Sequence, residues 1–215
     1  MKPTRRCRPI LVRALSACLI LVFLTPVFVE SREKDKSRWD AKYDTDIYIF
    51  GKQPIPFLKE NVNLLPRGKV LDIAMGEGRN GVFLATRGFD VLGLDISEKG
   101  LQKAHQLAKV HNVKIVTKVV DLENYTLEKN AYDVIICTYY MQRDLFPKFK
   151  EALKPGGMAL VETYNTDYLK YARFNPKWLL KTNELLEIFK DYKVLRYQAV
   201  DNGKTAYSSI LVQKP

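Results

Sequence analysis

The chain beyond Trp39 alternates short apolar segments with segments of helical character, and this alternation limits the possible folds more than any other feature. Apolar segments predict strands at 69–74, 89–95, 113–120, 132–138 and 158–164. Helical periodicity or capping residues predict helices at 54–63, 79–87, 97–111, 142–153 and 182–189. Strands that alternate with helices form a mostly parallel sheet that is covered on both faces.

Two further strands are predicted at the C-terminal end. Residues 192–200 and 205–213 are rich in β-forming side chains, and Asn202-Gly203 lies between them. An Asn-Gly pair between such runs is typical of a tight hairpin turn. The sequence therefore predicts an α/β domain over 39–215 with seven strands, the last two forming an antiparallel hairpin.

The N-terminal end has the layout of a signal peptide or an uncleaved membrane anchor. Residues 1–13 carry five Lys or Arg side chains, and residues 14–29 are mostly apolar. Basic residues are nearly balanced on the two sides of this run, so either topology is open, with the domain associated with a membrane or exported. Translation from a downstream start would instead leave the domain cytoplasmic. Residues 30–38 are predicted to be a charged linker.

The net charge of +11 is distributed unevenly. Residues 1–38 carry +6 of it and the larger part of the chain only +5, so a nucleic-acid partner is not indicated. The three cysteines, Cys7, Cys18 and Cys137, show no CxxC spacing, and no metal site is predicted. A small-molecule substrate is the expected partner, and the sequence leaves the oligomeric state open.

A glycine-rich turn follows the first predicted strand. Gly76 and Gly78 allow a tight turn and a close approach of a ligand to the backbone. In an open parallel sheet, ligands bind beyond the carboxyl ends of the strands. Asp95 ends the second strand, where a carboxylate can accept hydrogen bonds from two ribose hydroxyls. The pattern predicts a cofactor that contains a nucleoside.

Two cofactors fit this turn. Gly76-x-Gly78-x-x-Gly81 with Asp95 matches the dinucleotide fingerprint, which leaves a nicotinamide-dependent oxidoreductase as an alternative. Asp72, however, lies four residues before Gly76, and a buried acid would repel a pyrophosphate. The same acid suits S-adenosylmethionine (SAM), which carries a cationic amino group and no phosphate.

Residues 69–164 resemble the class I SAM-dependent methyltransferases. VLDIAMGEGRN resembles their motif I, VLGLDIS and VVDLENY their second and third motifs, and YDVIICTYY and LKPGGMALVETY their fourth and fifth strands. Ala74 stands where the family usually has glycine. The resemblance implies a Rossmann-like fold with a seven-stranded, mostly parallel sheet, a C-terminal antiparallel hairpin and helices on both faces. It also implies that the nucleoside lies near Asp95, Ile96, Asp121 and Leu122.

A narrower resemblance covers about 39–215. Trp39-x-x-x-Tyr43, Phe50-Gly51-Lys52, GEGRN and the stretch 179–186 are similar to the tellurite-resistance methyltransferases and, more distantly, to the thiopurine methyltransferases. This resemblance implies methyl transfer to a small, soft nucleophile such as a thiol or a chalcogen oxyanion. A protein of this fold that only binds a ligand is the non-enzymatic alternative.

The glycine turn and the resemblance together mark the candidate site residues. Those predicted for cofactor binding are Tyr43, Lys52, Asp72, Ala74, Gly76, Gly78, Arg79, Asn80, Asp95, Ile96, Asp121, Leu122 and Thr138. Those predicted for catalysis are Tyr139, Tyr140 and Arg143. Tyr43, Phe50 and Lys52 are expected to close over the cofactor as a lid. A soft, already ionised nucleophile needs no strong base, in agreement with the lack of an obvious catalytic triad.

Several of these residues have a plain structural interpretation as well. Tyrosines in positions like those of Tyr139 and Tyr140 are more often packing residues than catalytic ones, and Arg143 can pair with an acid on its own helix. A further aromatic set either lines a substrate pocket or covers the sheet. Its members are Tyr164, Tyr168, Tyr171, Phe174 and Trp178.

Overall fold

A seven-stranded sheet forms the centre of the computed structural model, which describes residues 25–215, with side chains from residue 33 onward. The strands are β1 Lys69–Ile73, β2 Asp90–Asp95, β3 Val116–Val119, β4 Tyr132–Thr138, β5 Leu153–Tyr164, β6 Lys193–Asp201 and β7 Ala206–Gln213. Their order is β3-β2-β1-β4-β5-β7-β6. The first five strands are parallel, and β7 runs antiparallel to both β5 and β6. The predicted fold class is confirmed.

Helices cover both faces of the sheet. They are α1 Thr25–Tyr43, α2 Pro56–Asn61, α3 Arg79–Thr86, α4 Glu98–Val110, α5 Phe146–Ala152 and α6 Glu184–Ile188. Short 3-10 turns occur at Val62–Leu64, Arg143–Leu145, Thr166–Lys170 and Pro176–Trp178. Ser97 caps α4 as expected, since its hydroxyl accepts a hydrogen bond from the Gly100 amide at 3.0 Å.

The sheet separates two apolar cores. Side chains alternate between the faces of a strand, so Val70 and Leu71 of β1 enter different cores. Val70 packs in the core that contains residues of α2, α3 and α4. Leu71 packs in the core that contains Phe146 and Phe149 of α5. The strand ends between these cores are therefore held on both sides.

The segment 30–38, expected to be a linker, is helical. It belongs to α1, which continues to Tyr43. The ion pair Lys36–Asp40 at 2.6 Å spans one helical turn, and Asp40 also accepts a hydrogen bond from the Ser97 hydroxyl at 2.6 Å. The segment has no apolar stripe, so its sequence shows no helical periodicity. Charge pairing and this tertiary contact stabilise the helix instead.

Most of the predicted signal peptide or anchor, 1–29, lies outside the described residues. Among residues 25–215, no helix combines the length and the apolar character that a bilayer span requires.

Other differences concern element boundaries. The helix predicted over 142–153 begins as a 3-10 turn, and the turn predicted at 154–157 belongs to β5, where the pairing with β4 shifts register. The N-cap of α6 is Asn183, with a φ of 61°, rather than Thr182. These are ends of elements, where local sequence signals are weakest.

Candidate functional site

The carboxyl ends of four parallel strands bring the predicted site residues together. Ile73 of β1 pairs with Leu94 of β2 and with Cys137 of β4, and Thr138 of β4 pairs with Glu162 of β5. The glycine turn after β1, the acid that ends β2 and the residues after β4 therefore share one edge of the sheet. This is the edge at which open parallel sheets bind ligands.

The glycine turn is held in place by backbone conformation and by a carboxylate. Gly76 has a φ of 56°, and its amide donates a hydrogen bond of 2.7 Å to Asp95 Oδ2. Gly78 has a φ of 84° and precedes α3, and a Cβ atom there would lie 2.6 Å from the Ala104 Cβ. Both positions need glycine, for the left-handed conformation and, at Gly78, for close packing on α4.

Ala74 also adopts the left-handed conformation, with a φ of 54°. This conformation costs an alanine about 1 kcal/mol, which glycine does not lose. The usual family preference for glycine at this position is thus explained by backbone conformation. In this chain the alanine at the first residue of the turn adopts the left-handed conformation despite its cost in free energy.

The two predicted cofactor acids lie in different surroundings. Asp72 is 2% exposed, its Oδ2 has no hydrogen-bond partner among the described residues, and burial raises its pKa to about 8. Asp95 accepts hydrogen bonds from the backbone amides of Gly76 and Ser97, at 2.7 and 2.8 Å. Burial raises the pKa of Asp95 to about 6.

These surroundings fit a ligand with a cationic amino group and ribose hydroxyls. An unpartnered buried carboxylate oxygen is costly, and a cation is the partner that removes the cost. Each Asp95 oxygen that accepts one amide hydrogen keeps a second lone pair for a hydroxyl donor. The residues present therefore suit SAM better than a pyrophosphate.

Tyr43 and Phe50 lie over the glycine turn. Tyr43 is 5% exposed, and its hydroxyl oxygen is 2.7 Å from the position that a Cβ atom on Gly76 would occupy. Its ring meets Phe50 edge to face, at 6.3 Å between centroids. Lys52, expected beside them, instead places its Nζ 4.6 Å from the centre of the Tyr48 ring. Of the three residues predicted to form a lid, Tyr43 and Phe50 therefore contact each other, and Lys52 lies against Tyr48.

A buried ion pair holds the segment 43–50 onto the glycine turn. Lys103 of α4 lies 2.6 Å from Glu77, and the two side chains are 8% and 2% exposed. Lys103 Nζ also donates to the carbonyls of Thr45 and Ile47, at 2.9 and 2.5 Å. Glu77 in turn accepts hydrogen bonds from the backbone amides of Ile49 and Phe50.

Sequence reasoning missed this pair. The available signal was a lysine on the buried stripe of α4, in line with Gly100, Ala104 and Leu107. The partner acid stands between the two glycines of the turn, so the pair connects the glycine turn to the segment 43–50.

The predicted residues Asn80, Thr138 and Arg79 connect elements around the turn. Asn80 accepts a hydrogen bond from the Ile55 amide at 3.0 Å and donates one to the Thr138 hydroxyl at 2.9 Å. Arg79 donates to the Phe50 carbonyl at 2.8 Å. Asn80 thereby sets the spacing between the start of α3 and the end of β4.

The residues predicted near the adenine lie at the ends of β2 and β3. Ile96 is half-buried directly after Asp95. The Asp121 carboxylate accepts hydrogen bonds from the Glu123 amide and the Asn124 side chain, at 3.0 and 2.7 Å. Leu122 is 5% exposed and packs in the core below. Asp121 thus organises its own turn, and Leu122 supports it from the core.

Arg143 is fully engaged in contacts within the protein. Its guanidinium contacts Glu184 at 2.5 and 3.0 Å and the carbonyls of Lys177 and Leu179 at 2.7 and 2.8 Å. These contacts favour a structural role for Arg143 over the predicted catalytic one. Its partner is also not an acid of its own helix, because Glu184 lies on a distant segment that only the tertiary fold brings near.

Tyr140 contacts the core rather than the glycine turn. Its hydroxyl donates a hydrogen bond of 2.7 Å to Gln142, and its ring packs against the core that contains α5. Packing therefore accounts for Tyr140 in the structure.

Tyr139 lies at the opposite end of the site from Asp95. Its hydroxyl donates a hydrogen bond of 3.0 Å to Glu162, and its ring lies 4.8 Å from that of Tyr164. The guanidinium carbon of Arg79 is 5.6 Å from the centre of the Tyr139 ring. Tyr168 and Phe174 extend the aromatic surface around Tyr164.

Glu162 is a second residue that sequence reasoning missed. It is 1% exposed, in the strand β5. An acid inside the apolar run 158–164 was the signal that could have found it, because a charged group is rarely buried without a specific partner.

The comparisons with known proteins agree with this arrangement. The family model described as tellurite resistance protein TehB matches residues 34–206. The chain belongs to the TehB family. The probable S-adenosyl-L-methionine-dependent methyltransferase TehB of Haemophilus influenzae (strain Rd) is 30% identical over 137 residues, which are 60% of this chain and 47% of that protein. The chain thus spans about half the length of that TehB relative.

Solved structures show the same fold. The crystal structure of TehB from Haemophilus influenzae has a TM-score of 0.64 at 22% identity and covers 84% of this chain and 67% of that one. Geranyl diphosphate C-methyltransferase from Streptomyces coelicolor, solved with S-adenosyl-L-homocysteine, has a TM-score of 0.63 at 14% identity and covers 86% of this chain and 98% of that one. At these identities the likeness establishes a methyltransferase fold for this TehB-family chain.

Replacing Lys103 should destabilise the protein much more than replacing an exposed lysine on the same helix. Lys103→Met leaves the buried Glu77 charge without its cationic partner, which costs roughly 3–5 kcal/mol. Lys99→Met is the matched control, because Lys99 pairs with Asp44 at the surface, where such pairs contribute roughly 0–1 kcal/mol. Urea unfolding of both variants measures the difference. Equal losses of unfolding free energy would contradict a stabilising role of the buried Lys103–Glu77 pair.

Proposed function

We propose that this chain transfers a methyl group from SAM to a small, soft nucleophile such as a thiol or a chalcogen oxyanion. The observation that carries the proposal is the pair of acids around the glycine turn. Asp72 offers a buried oxygen that has no hydrogen-bond partner in the described part of the chain, and Asp95 lies beside the Gly76 amide. Together they suit the amino group and the ribose of SAM. TehB-family membership and the methyltransferase fold support this assignment.

The cofactor supplies an electrophilic methyl group, so the protein has to bind, orient and exclude water. In this proposal Asp72 would hold the amino group and Asp95 the ribose. Tyr43 and Phe50 keep water from the glycine turn. The Asn80–Thr138 hydrogen bond keeps the end of β4, where the acceptor is expected, at a constant distance from the turn.

The nicotinamide alternative is disfavoured by the same acid. A dinucleotide would place its pyrophosphate at the glycine turn, next to Asp72. Loss of a proton from Asp72 would then add repulsion. The proposal includes a small-molecule acceptor as partner and no nucleic acid.

Methyl transfer from labelled SAM to a panel of thiols, selenite, tellurite and RNA tests the function directly. Transfer to at least one small acceptor and none to RNA is the expected result. Isothermal titration with SAM and with NAD separates the cofactors, and binding of NAD in place of SAM would refute the proposal. Binding of SAM without transfer to any acceptor would favour the ligand-binding alternative.

Replacing Asp95 should weaken SAM binding by at least about tenfold, since charge-assisted hydrogen bonds contribute about 1.5–3 kcal/mol. Asp95→Ala removes the ribose acceptor and the anchor of the Gly76 amide, and Asp95→Asn keeps one acceptor oxygen and should lose less. Asp90→Ala is the control, because Asp90 lies exposed at the opposite end of β2. Titration calorimetry measures all three affinities, and an unchanged affinity of Asp95→Ala would remove the basis of the proposal.

The buried Asp72 should make the cofactor-free protein less stable as the pH rises. Its pKa is about 8 in the folded chain, against roughly 3.9 in an unfolded one. Between these values the folded state holds a proton that the unfolded state has released, so the free energy of unfolding falls with increasing pH. The slope approaches about 1.4 kcal/mol per pH unit at its steepest.

Asp72→Asn should remove this component of the slope between pH 5 and pH 8. Urea unfolding at several pH values, compared with wild type and with Asp90→Asn, measures the change. Parallel pH profiles for wild type and Asp72→Asn would show that Asp72 does not titrate in this range.

A further inference from the structure

The proposed function leaves one buried acid without a task. Glu162 is 1% exposed, and both of its carboxylate oxygens are hydrogen bonded. Oε1 accepts from the Tyr139 hydroxyl at 3.0 Å, and Oε2 accepts from the Ser209 hydroxyl at 2.7 Å. These two donors offset the cost of burying the carboxylate. They hold it on β5, beside the carboxyl end of β4.

Tyr139 is the side chain through which Glu162 reaches the site. Tyr139 has a φ of 55°, which is strained for a bulky side chain and is retained only where the surroundings enforce it. Its amide donates to the Glu162 carbonyl at 2.7 Å. Tyr139 is only partly buried, so part of this residue is accessible to a ligand at this end of the site.

The charged and titratable groups that face Glu162 come from four elements. They are Arg79 of α3, Tyr139 after β4, Tyr164 of β5 and Tyr207 of β7. Burial is the largest influence and raises the pKa of Glu162, while the hydrogen bonds from Ser209 and Tyr139 and the charge of Arg79 oppose it. Glu162 is therefore a better proton acceptor than an exposed glutamate.

We propose that Tyr139 and Glu162 form a proton-accepting pair, and that the methyl acceptor enters the site as a neutral X–H compound rather than as a preformed oxyanion. This inference rests on the proposed methyl transfer. It differs from the expectation that no base is needed, and it selects among the acceptors that the sequence left open.

The step balances without a further reactant. The acceptor X–H donates its proton to Tyr139 Oη while the Tyr139 hydroxyl proton passes to Glu162 Oε1. The electron pair of the X–H bond forms the new X–CH₃ bond, and the pair of the broken S–CH₃ bond remains on sulfur. The sulfonium loses its positive charge as the carboxylate loses its negative charge, so the net charge of the site does not change.

The Glu162 carboxylate disfavours an oxyanion at Tyr139 and opposes the attraction of the Arg79 guanidinium, whose carbon is 5.6 Å from the centre of the Tyr139 ring. A negative ligand placed against Tyr139 would lie one side chain away from the Glu162 carboxylate, and the low dielectric strengthens this repulsion. The surface next to Tyr139 is aromatic, because the rings of Tyr164 and Tyr168 stack there with 4.1 Å between their centroids. An acceptor with an apolar or aromatic body fits this surface better than a small hydrated anion.

Binding of a weakly acidic thiol to the complex with S-adenosylhomocysteine tests which form enters. The probe is 2-phenylethanethiol, and calorimetry measures its affinity across the pH range in which the thiol ionises. If the neutral form binds, the affinity falls about tenfold per pH unit above the thiol pKa. An affinity that rises through the thiol pKa would overturn the proposal.

Kinetics with two acceptors tests the pair itself. Tyr139→Phe and Glu162→Gln should each lower kcat/KM at least about 100-fold for 2-phenylethanethiol, which is protonated at the assay pH. Tyr139→Phe should lower it only a few-fold for 4-nitrothiophenol, which is already ionised, and Glu162→Gln should not lower it, because the carboxylate no longer repels the thiolate. Tyr192→Phe is the matched control, because the Tyr192 hydroxyl is buried without a hydrogen-bond partner among the described residues and loses no contact.

The outcomes separate this inference from the proposed function. Equal losses for both thiols, or wild-type rates in Tyr139→Phe and Glu162→Gln, would overturn the proton-accepting pair and leave methyl transfer intact. Retained S-adenosylhomocysteine affinity shows that the variants are folded. Failure of wild type to methylate any acceptor would instead refute the proposed function.

Discussion

The hydrogen bond from the Gly76 amide to the Asp95 carboxylate is the contact on which the rest of the site depends. It joins the turn after β1 to the end of β2, and the second Asp95 oxygen accepts the Ser97 amide at the start of α4. One buried carboxylate thus sets the positions of two loops that a nucleoside would touch. Its burial has a cost in free energy, which the raised pKa reflects and the two amides partly offset.

Two levels of structure lie above this turn. The Lys103–Glu77 pair holds the backbone of 44–50 against α4, and Tyr43, whose ring contacts Phe50, covers Gly76. A ligand bound here would exchange some of this aromatic contact for its own.

The residues of the site differ in how far the sequence predicts them. Asp72, Gly76 and Asp95 belong to motifs with spacing that is visible along the chain, so the sequence alone predicts them as site residues. Lys103 and Glu162 were not found, because their partners lie 26 and 23 residues away along the chain. The partner of Arg143 was misjudged for the same reason, since Glu184 is distant in sequence. A buried polar residue in an apolar stripe was the only local sign.

The sequence by itself determined the order and type of the elements, the seven strands, the glycine turn and the acids beside it, because these follow from periodicity, turn chemistry and short-range spacing. Only the tertiary structure decided that the segment 30–38 is helical, that Tyr139 is hydrogen bonded to Glu162 and that Arg143 pairs with the distant Glu184. The physical reason is that charge pairs and hydrogen bonds between distant segments gain free energy only after the sheet has brought them together. No local pattern records them.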